Sequence, residues 1–301
     1  MSATMLSLIQ QATGEMGLSV PTAVASSTAA DQVQQLALLN AAGNELAREH
    51  DWQAMTVEYQ FTTPTYTYTG TATDSSTSLT GMSSIVGLDT NFQVVGTGVL
   101  RNTYVSSASG TTVVMSQAAN ATSTGSYVFS QTRFNLPTAY DRPVNRTQWD
   151  QTQHWEMLGP ETQQQVQWLK SGFISTGPRV RYYLIGNQLN IWPPLGAEHT
   201  LGYSYITSNW IYATGATTVS KSLFTADTDT CIFPDRLMVL GLKLKYFEMK
   251  GFDTTALYRD YLIQKDIAKA NDAGAPTLSF APRISSVLIG WNNIPDAGYG
   301  S

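Results

Sequence analysis

The chain has 301 residues, 13% of them charged, and a formal net charge of −5 at pH 7. That is roughly half the charged fraction of an ordinary globular domain, and Thr, Ser, Ala and Gln fill the space. A weakly charged, acidic chain without a basic stripe excludes a general binder of phosphate backbones; lysines gather only at Lys243, Lys245 and Lys250.

The single cysteine, Cys231, rules out an intrachain disulfide framework and a cysteine-built zinc site. The opening MSATMLSLIQQATGEMG lacks the basic start and long apolar core of a signal peptide. No apolar run is long enough to cross a bilayer. The expectation is a chain made in a cytoplasm, soluble and with no membrane partner.

Thr4 to Gly17 carries Met5, Leu8, Ile9, Ala12 and Met16 at helical spacing, and Gly17 and Pro21 stop it. After a Ser/Thr/Ala linker, Asp31 is the expected N-cap of a second helix. Its inner face is Val33, Leu36, Leu39, Gly43 and Leu46, with Gly43 marking a close helix–helix approach. This helix closes on His50, Asp51 and Trp52. The texture then changes. Thr62 to about Gln131 is rich in Thr, Ser, Gly and Val, in short alternating runs such as TYTYTG, FQVVGTGV and TTVVMSQ. Turn signals every eight to twelve residues or so predict a small antiparallel, Ig-like sandwich inserted into another domain.

From Arg133 the first texture returns. LPTAYDRPVN is extended. Glu161 to Lys170 is a predicted short helix with Pro160 at its start. RVRYYLIGNQLNIWPP reads as a hairpin about Gly186-Asn187, and HTLGYSYITSNWI as a further strand. Leu237, Leu240, Gly241, Leu244 and Phe247 follow Pro234-Asp235 at helical spacing, and Gly251 closes that helix. Asp253 or Thr254 opens the next, which runs to about Ala270 with Leu257, Tyr261 and Ala268 inward. From Ala273 an extended arm is expected.

Few residues carry a pattern that points to chemistry. His50 and Asp51 resemble a base and its orienter, but neighbours on a helix point about 100° apart. The preferred reading is that they finish the helix while Trp52 anchors its end. His154 and His199 have no partner at metal-ligand spacing; His154, beside Trp149 and Trp155, reads as a packing residue. Asp227 and Asp229 lack the rest of a calcium loop and read as loop caps. Gly96-x-Gly98 lacks the third glycine of a dinucleotide site. Tyr182, Tyr183, Trp192, Tyr203 and Tyr205 form either a sugar platform or a buried sheet face. No catalytic, cofactor-binding or metal-ligating residue is assigned, and no cofactor.

The order of these stretches resembles the head-to-tail adaptor (connector) family of tailed bacteriophages, in particular its tail tubular protein A-like members. The residues that carry the resemblance are ELAREHDWQAM, LPTAYDRPVN, the hairpin YYLIGNQLNIWPP running into HTLGYSYI, and the helix pair from FPDRLMVLGLKLKYF to KANDAG. The stretch 62–131 resembles small β-sandwich modules of phage structural proteins. The resemblance implies an α+β fold: a helical bundle core with a small β-hairpin or sheet, an inserted all-β sandwich and an extended C-terminal arm. The expected division is 1–61 and 132–272 as core, 62–131 as insert and 273–301 as arm. It implies a non-enzymatic virion protein at the head–tail junction, assembled in the host cytoplasm. Its partners would be copies of itself in a dodecameric ring, the portal protein, and a tail tube or nozzle protein. DNA would pass through the lumen without specific binding. Trp52 would be a structural anchor. Leu278, Phe280, Ile284, Val287, Leu288, Ile289 and Trp291 of the arm would meet the portal. The competing expectation is a glycan-binding tail or capsid-decoration protein acting through the β insert.

Overall fold

The computed structural model of the chain describes residues 3–171 and 179–273. The expected arm residues Leu278, Phe280, Ile284, Val287, Leu288, Ile289 and Trp291 lie outside them. In chain order the elements are α1 (Met5–Met16), α2 (Ala30–Glu49), β1 (Thr56–Thr62), β2 (Thr65–Ala72), β3 (Ser78–Thr80), β4 (Phe92–Val95), β5 (Val105–Ser109), β6 (Thr112–Met115) and β7 (Ser123–Gln131). There follow β8 (Arg133–Asn135), β9 (Tyr140–Pro143), β10 (Trp149–Asp150), β11 (Trp155–Glu156), α3 (Gln163–Lys170), β12 (Arg181–Ile185), β13 (Gln188–Trp192) and β14 (Thr200–Thr207). The last are β15 (Ile211–Tyr212), β16 (Thr230–Cys231), α4 (Asp235–Lys250) and α5 (Thr255–Ala273). No described helix is long and apolar enough to cross a membrane.

The helical bundle core is not what the chain builds. The fold is mixed α+β with several antiparallel sheets and three separate cores. The first core lies under the helices. Met5, Leu8, Leu39, Leu46, Leu237 and Leu242 pack there with Trp52, Trp210 and Phe233. Here α4 is central, touching α1, α2 and α5. The second core fills the insert. The third lies between a five-stranded sheet (β1-β14-β10-β11, with β9 also on β14) and a three-stranded one (β12-β13-β8). The expectation failed because the aromatic strands from Phe134 to Tyr205 bury a core of their own rather than decorate a bundle.

The insert also differs from a sandwich. Its strands form a single sheet in the order β4-β7-β2-β3-β6-β5. The sheet curls until its ends meet: Gln93 bridges Tyr104, and the Val94 N–H donates to Thr103 O at 2.8 Å. Strands of three to nine residues, with a register shift between Val105 and Ser107, allow that curvature. Closure leaves few open edges.

Local signals explain most helix ends. The Thr4 hydroxyl accepts the Ser7 N–H, and Gly17 stops α1 at φ +71°. Helix α2 departs from expectation: Ala29 is its N-cap, without a side-chain bond, and Asp31 sits in the first turn. Helix α3 starts at Gln163, beyond Pro160, on a capping box between Thr162 and Gln165. Gly43 does mark a close approach, but to an indole. A Cβ there would lie 2.1 Å from the Trp210 ring. The tight helix–helix contact falls at Gly241, where a Cβ would sit 3.4 Å from Ala42.

Candidate functional site

The end of α2 is the most heavily tied point of the helical layer. Trp52 is buried. Its indole N–H donates to Leu46 O at 2.8 Å, six residues back, and its ring meets Phe233 edge-on with centroids 5.2 Å apart. The two residues before it diverge. His50 faces α5, with Nε2 3.3 Å from Asp272 Oδ2 but without hydrogen-bond geometry. Asp51 faces β9, where Arg142 donates from Nε at 2.8 Å and from a terminal nitrogen at 2.6 Å. Asp272 accepts the Gln53 N–H. His50 and Asp51 therefore act on different elements and form no base–orienter pair.

Charge also links α2 to α5. The Glu49 carboxylate takes Lys265 at 2.8 Å and Lys269 at 2.9 Å. Bonds from Lys265 and Lys269 outweigh its partial burial and hold Glu49 below the usual carboxylate range. On the far side of α4, Glu15 of α1 takes Arg236 and Lys243.

The other sequence candidates resolve as follows. Asp227 accepts the N–H groups of Val24 and Ala25, tying a distant loop. Asp229, fully buried, takes Lys221 and the N–H groups of Thr225 and Ala226. Burial alone would raise its pKa; Lys221 and those amides bring it below the ordinary value. Among the described residues no group of three or more His, Cys, Asp or Glu could hold a metal. Gly96 and Gly98 are packing glycines: added Cβ atoms would meet the Tyr127 ring and Ala121 O. Tyr182, Tyr183, Trp192, Tyr203 and Tyr205 are all buried, which settles them as sheet-face residues. Burial pushes the Cys231 thiol up to about 12, so it is no nucleophile at neutral pH.

One side-chain pair had no signal in the sequence. His199 Nδ1 lies 2.7 Å from Asp150 Oδ2, and both side chains are nearly buried. Asp150 also accepts the N–H groups of Thr152 and Gln153. The His199 backbone pairs with Thr63, where the chain crosses from β1 into the insert. The pair pins the junction of sheet and insert.

What the helical layer leaves open is apolar surface. Helix α5 has Ala268 buried and Tyr261 packed on the core. Ile263 and Ile267, one turn apart, are 50% and 48% exposed. Phe252, at the α4–α5 turn, is 62% exposed, and Met249 beside it is exposed too. The helix is apolar on two faces, and among the described residues only one is covered.

No protein-family model matches the chain, and no curated protein matches it.

Proposed function

We propose that the chain is a ring-forming structural protein of a phage virion, a head-to-tail adaptor that joins portal to tail and continues the DNA channel. The observation that carries the reading is the uncovered face of α5 with Phe252 and Met249. Fully burying a large apolar side chain is worth about 1.5–3 kcal/mol, so several together favour association. A head-to-tail contact between unlike patches of identical subunits closes into a ring when the rotation permits. The order of stretches that resembles the adaptor family supports the same reading. It includes the helix closing on Trp52, the β12–β13 hairpin running into β14, and the α4–α5 pair. In this reading Leu278, Phe280, Ile284, Val287, Leu288, Ile289 and Trp291 meet the portal, and DNA passes an acidic subunit that does not grip it.

The test is mass photometry and negative-stain microscopy of the full chain, alone and with purified portal rings. Rings, or decoration of the portal, are expected. A protein that stays monomeric at high concentration and ignores the portal overturns the proposal. Truncation after Asp272 should leave a folded protein that no longer co-sediments with portal; undiminished co-sedimentation removes the arm from the interface.

A further inference from the structure

The outward face of the five-stranded sheet carries a cleft. Leu201, Tyr203 and Tyr205 of β14 point into the core, so Gly202 and Ser204 face outward. Gly202 pairs with Gln60 on one side and Trp149 on the other. Gly202 itself is buried, because Gln60 and Gln151 bond to each other and the Gln151 amide lies over it. Beside them Glu58, Trp149, His154 and Ser204 line an open cleft of about 640 Å³, within the range of small-molecule sites.

Its walls are chemically specific. Trp149 forms one flank. Glu58, Ser204, Gln151 and His154 supply polar groups around it. Gln151 accepts a bond from Gln60 and rests over Gly202, where a Cβ would lie 2.7 Å from its Nε2. The Glu58 carboxylate, the Trp149 indole N–H, the His154 ring and the Ser204 hydroxyl have no side-chain partner among the described residues. The turn presenting Gln151 and His154 is built. Buried Asp150 holds it through the Thr152 and Gln153 N–H groups. His154 closes the turn at φ +56°, a left-handed conformation that histidine adopts more readily than most side chains.

We propose that this cleft, where Trp149 forms one flank and Glu58, Gln151, His154 and Ser204 converge, binds a neutral pyranose residue of a glycan. The side-chain set selects that chemistry. A sugar hydroxyl both donates and accepts, and the walls offer both: Glu58 accepts, Trp149 and Gln151 donate, Ser204 and His154 do either. The apolar C–H face of a pyranose suits the electron-rich face of an indole. A phosphate or sulfate would find no lysine or arginine in the lining and one carboxylate opposing it. An alkylammonium would satisfy Glu58 but leave the Trp149 and Gln151 donors without an acceptor. The cleft uses none of the exposed α4–α5 residues.

The test is saturation-transfer difference NMR on the full chain. The probes are methyl α-glucoside, methyl α-galactoside and N-acetylglucosamine, with choline and inorganic phosphate as competitors. Transfer to ring C–H protons of at least one sugar is expected. Trp149→Ala and Glu58→Gln should each weaken that binding about tenfold, the effect of one lost charge-assisted bond or stacking contact. Glu58 is exposed on β1, so Glu58→Gln keeps the fold and decides the matter if Trp149→Ala does not fold. The proposal falls if no sugar receives transfer, if choline or phosphate displaces the bound sugar from the cleft, or if Glu58→Gln binds as well as the parent.

Discussion

The insert and the helical layer solve the same problem in opposite ways. Residues 65–131 contain three charged side chains, Asp74, Asp89 and Arg101, yet the insert closes on itself. Its six strands bring their ends together at Gln93 and Tyr104, around a core that includes Phe129, Tyr127 and Leu79. The helical layer is laced by ion pairs from Glu15, Glu45 and Glu49 to α4 and α5. It still leaves Ile263, Ile267 and Phe252 in water. A closed sheet has satisfied its backbone and its core within one subunit. A helix has satisfied its backbone but can keep a second apolar face for a partner. In the proposed reading the helices, rather than the insert, would supply the surface for assembly.

The sharpest way to break that comparison is to remove one side of it. Thr65 and Ser130 face each other across the first rung of the β2–β7 ladder, so the cut ends lie about 5 Å apart. Deleting Thr65 to Ser130 and bridging with a short Gly/Ser linker should leave the helical circular dichroism of the rest intact. Collapse of the helical signal would show that the two regions fold as one.

Next in size is Trp52→Ala. A buried large aromatic costs about 3–5 kcal/mol when truncated, here with the loss of the bond to Leu46 O and the Phe233 contact. Chemical denaturation followed by helical signal should show the loss; an unchanged midpoint would remove Trp52 as the anchor. His50→Ala, whose Asp272 contact lacks hydrogen-bond geometry, should cost far less.

How much of this was legible in the sequence follows the same division. Helices α1, α4 and α5 show themselves through long 3.6-residue periods and closing glycines at Gly17 and Gly251. The β12–β13 hairpin shows itself through Gly186-Asn187 between aromatic runs. The limits of the insert show in composition, because its alternation has period two. Its closure does not, since Gln93 meets Tyr104 only through tertiary curvature. The bundle expectation failed on strands of two residues, such as β10 and β11, which are too short to display any period. The His199–Asp150 pair joins residues 49 apart, and no local spacing announces it. The polar cleft is likewise invisible: Glu58, Trp149 and Ser204 come together only through the pairing of β1 and β10 with β14.

A smaller effect tests the packing beneath the helices. Gly43→Ala drives a methyl toward the rigid, fully buried Trp210 ring. Overpacking typically costs about 1–3 kcal/mol, against about 1 kcal/mol that alanine gains over glycine in a helix. A net loss of up to about 2 kcal/mol is expected by the same reckoning. A more stable Gly43→Ala protein would mean that the indole moves aside freely.

The smallest effect concerns the charges that hold α5 to α2. Glu49 is held below its ordinary pKa of 4.5 by bonds from Lys265 and Lys269. A carboxyl whose pKa is lower in the folded chain binds fewer protons there than when unfolded, so its contribution is present above 4.5. That contribution fades as the pH falls through the lowered folded value, where the carboxyl protonates in both states. The side chain is 39% exposed, so solvent screening keeps the contribution below about 1 kcal/mol. Glu49→Gln should therefore be slightly less stable than the parent at pH 7, and the gap should be narrower at about pH 3, below the ordinary value of 4.5. Added salt should narrow it at pH 7 as well, since partly exposed pairs are screened over about 10 Å at 0.1 M. Urea unfolding of both proteins at the two pH values measures the gap. A difference that persists unchanged at pH 3 would mean that the Glu49 charge is not its source, because glutamine keeps the same methylene stem.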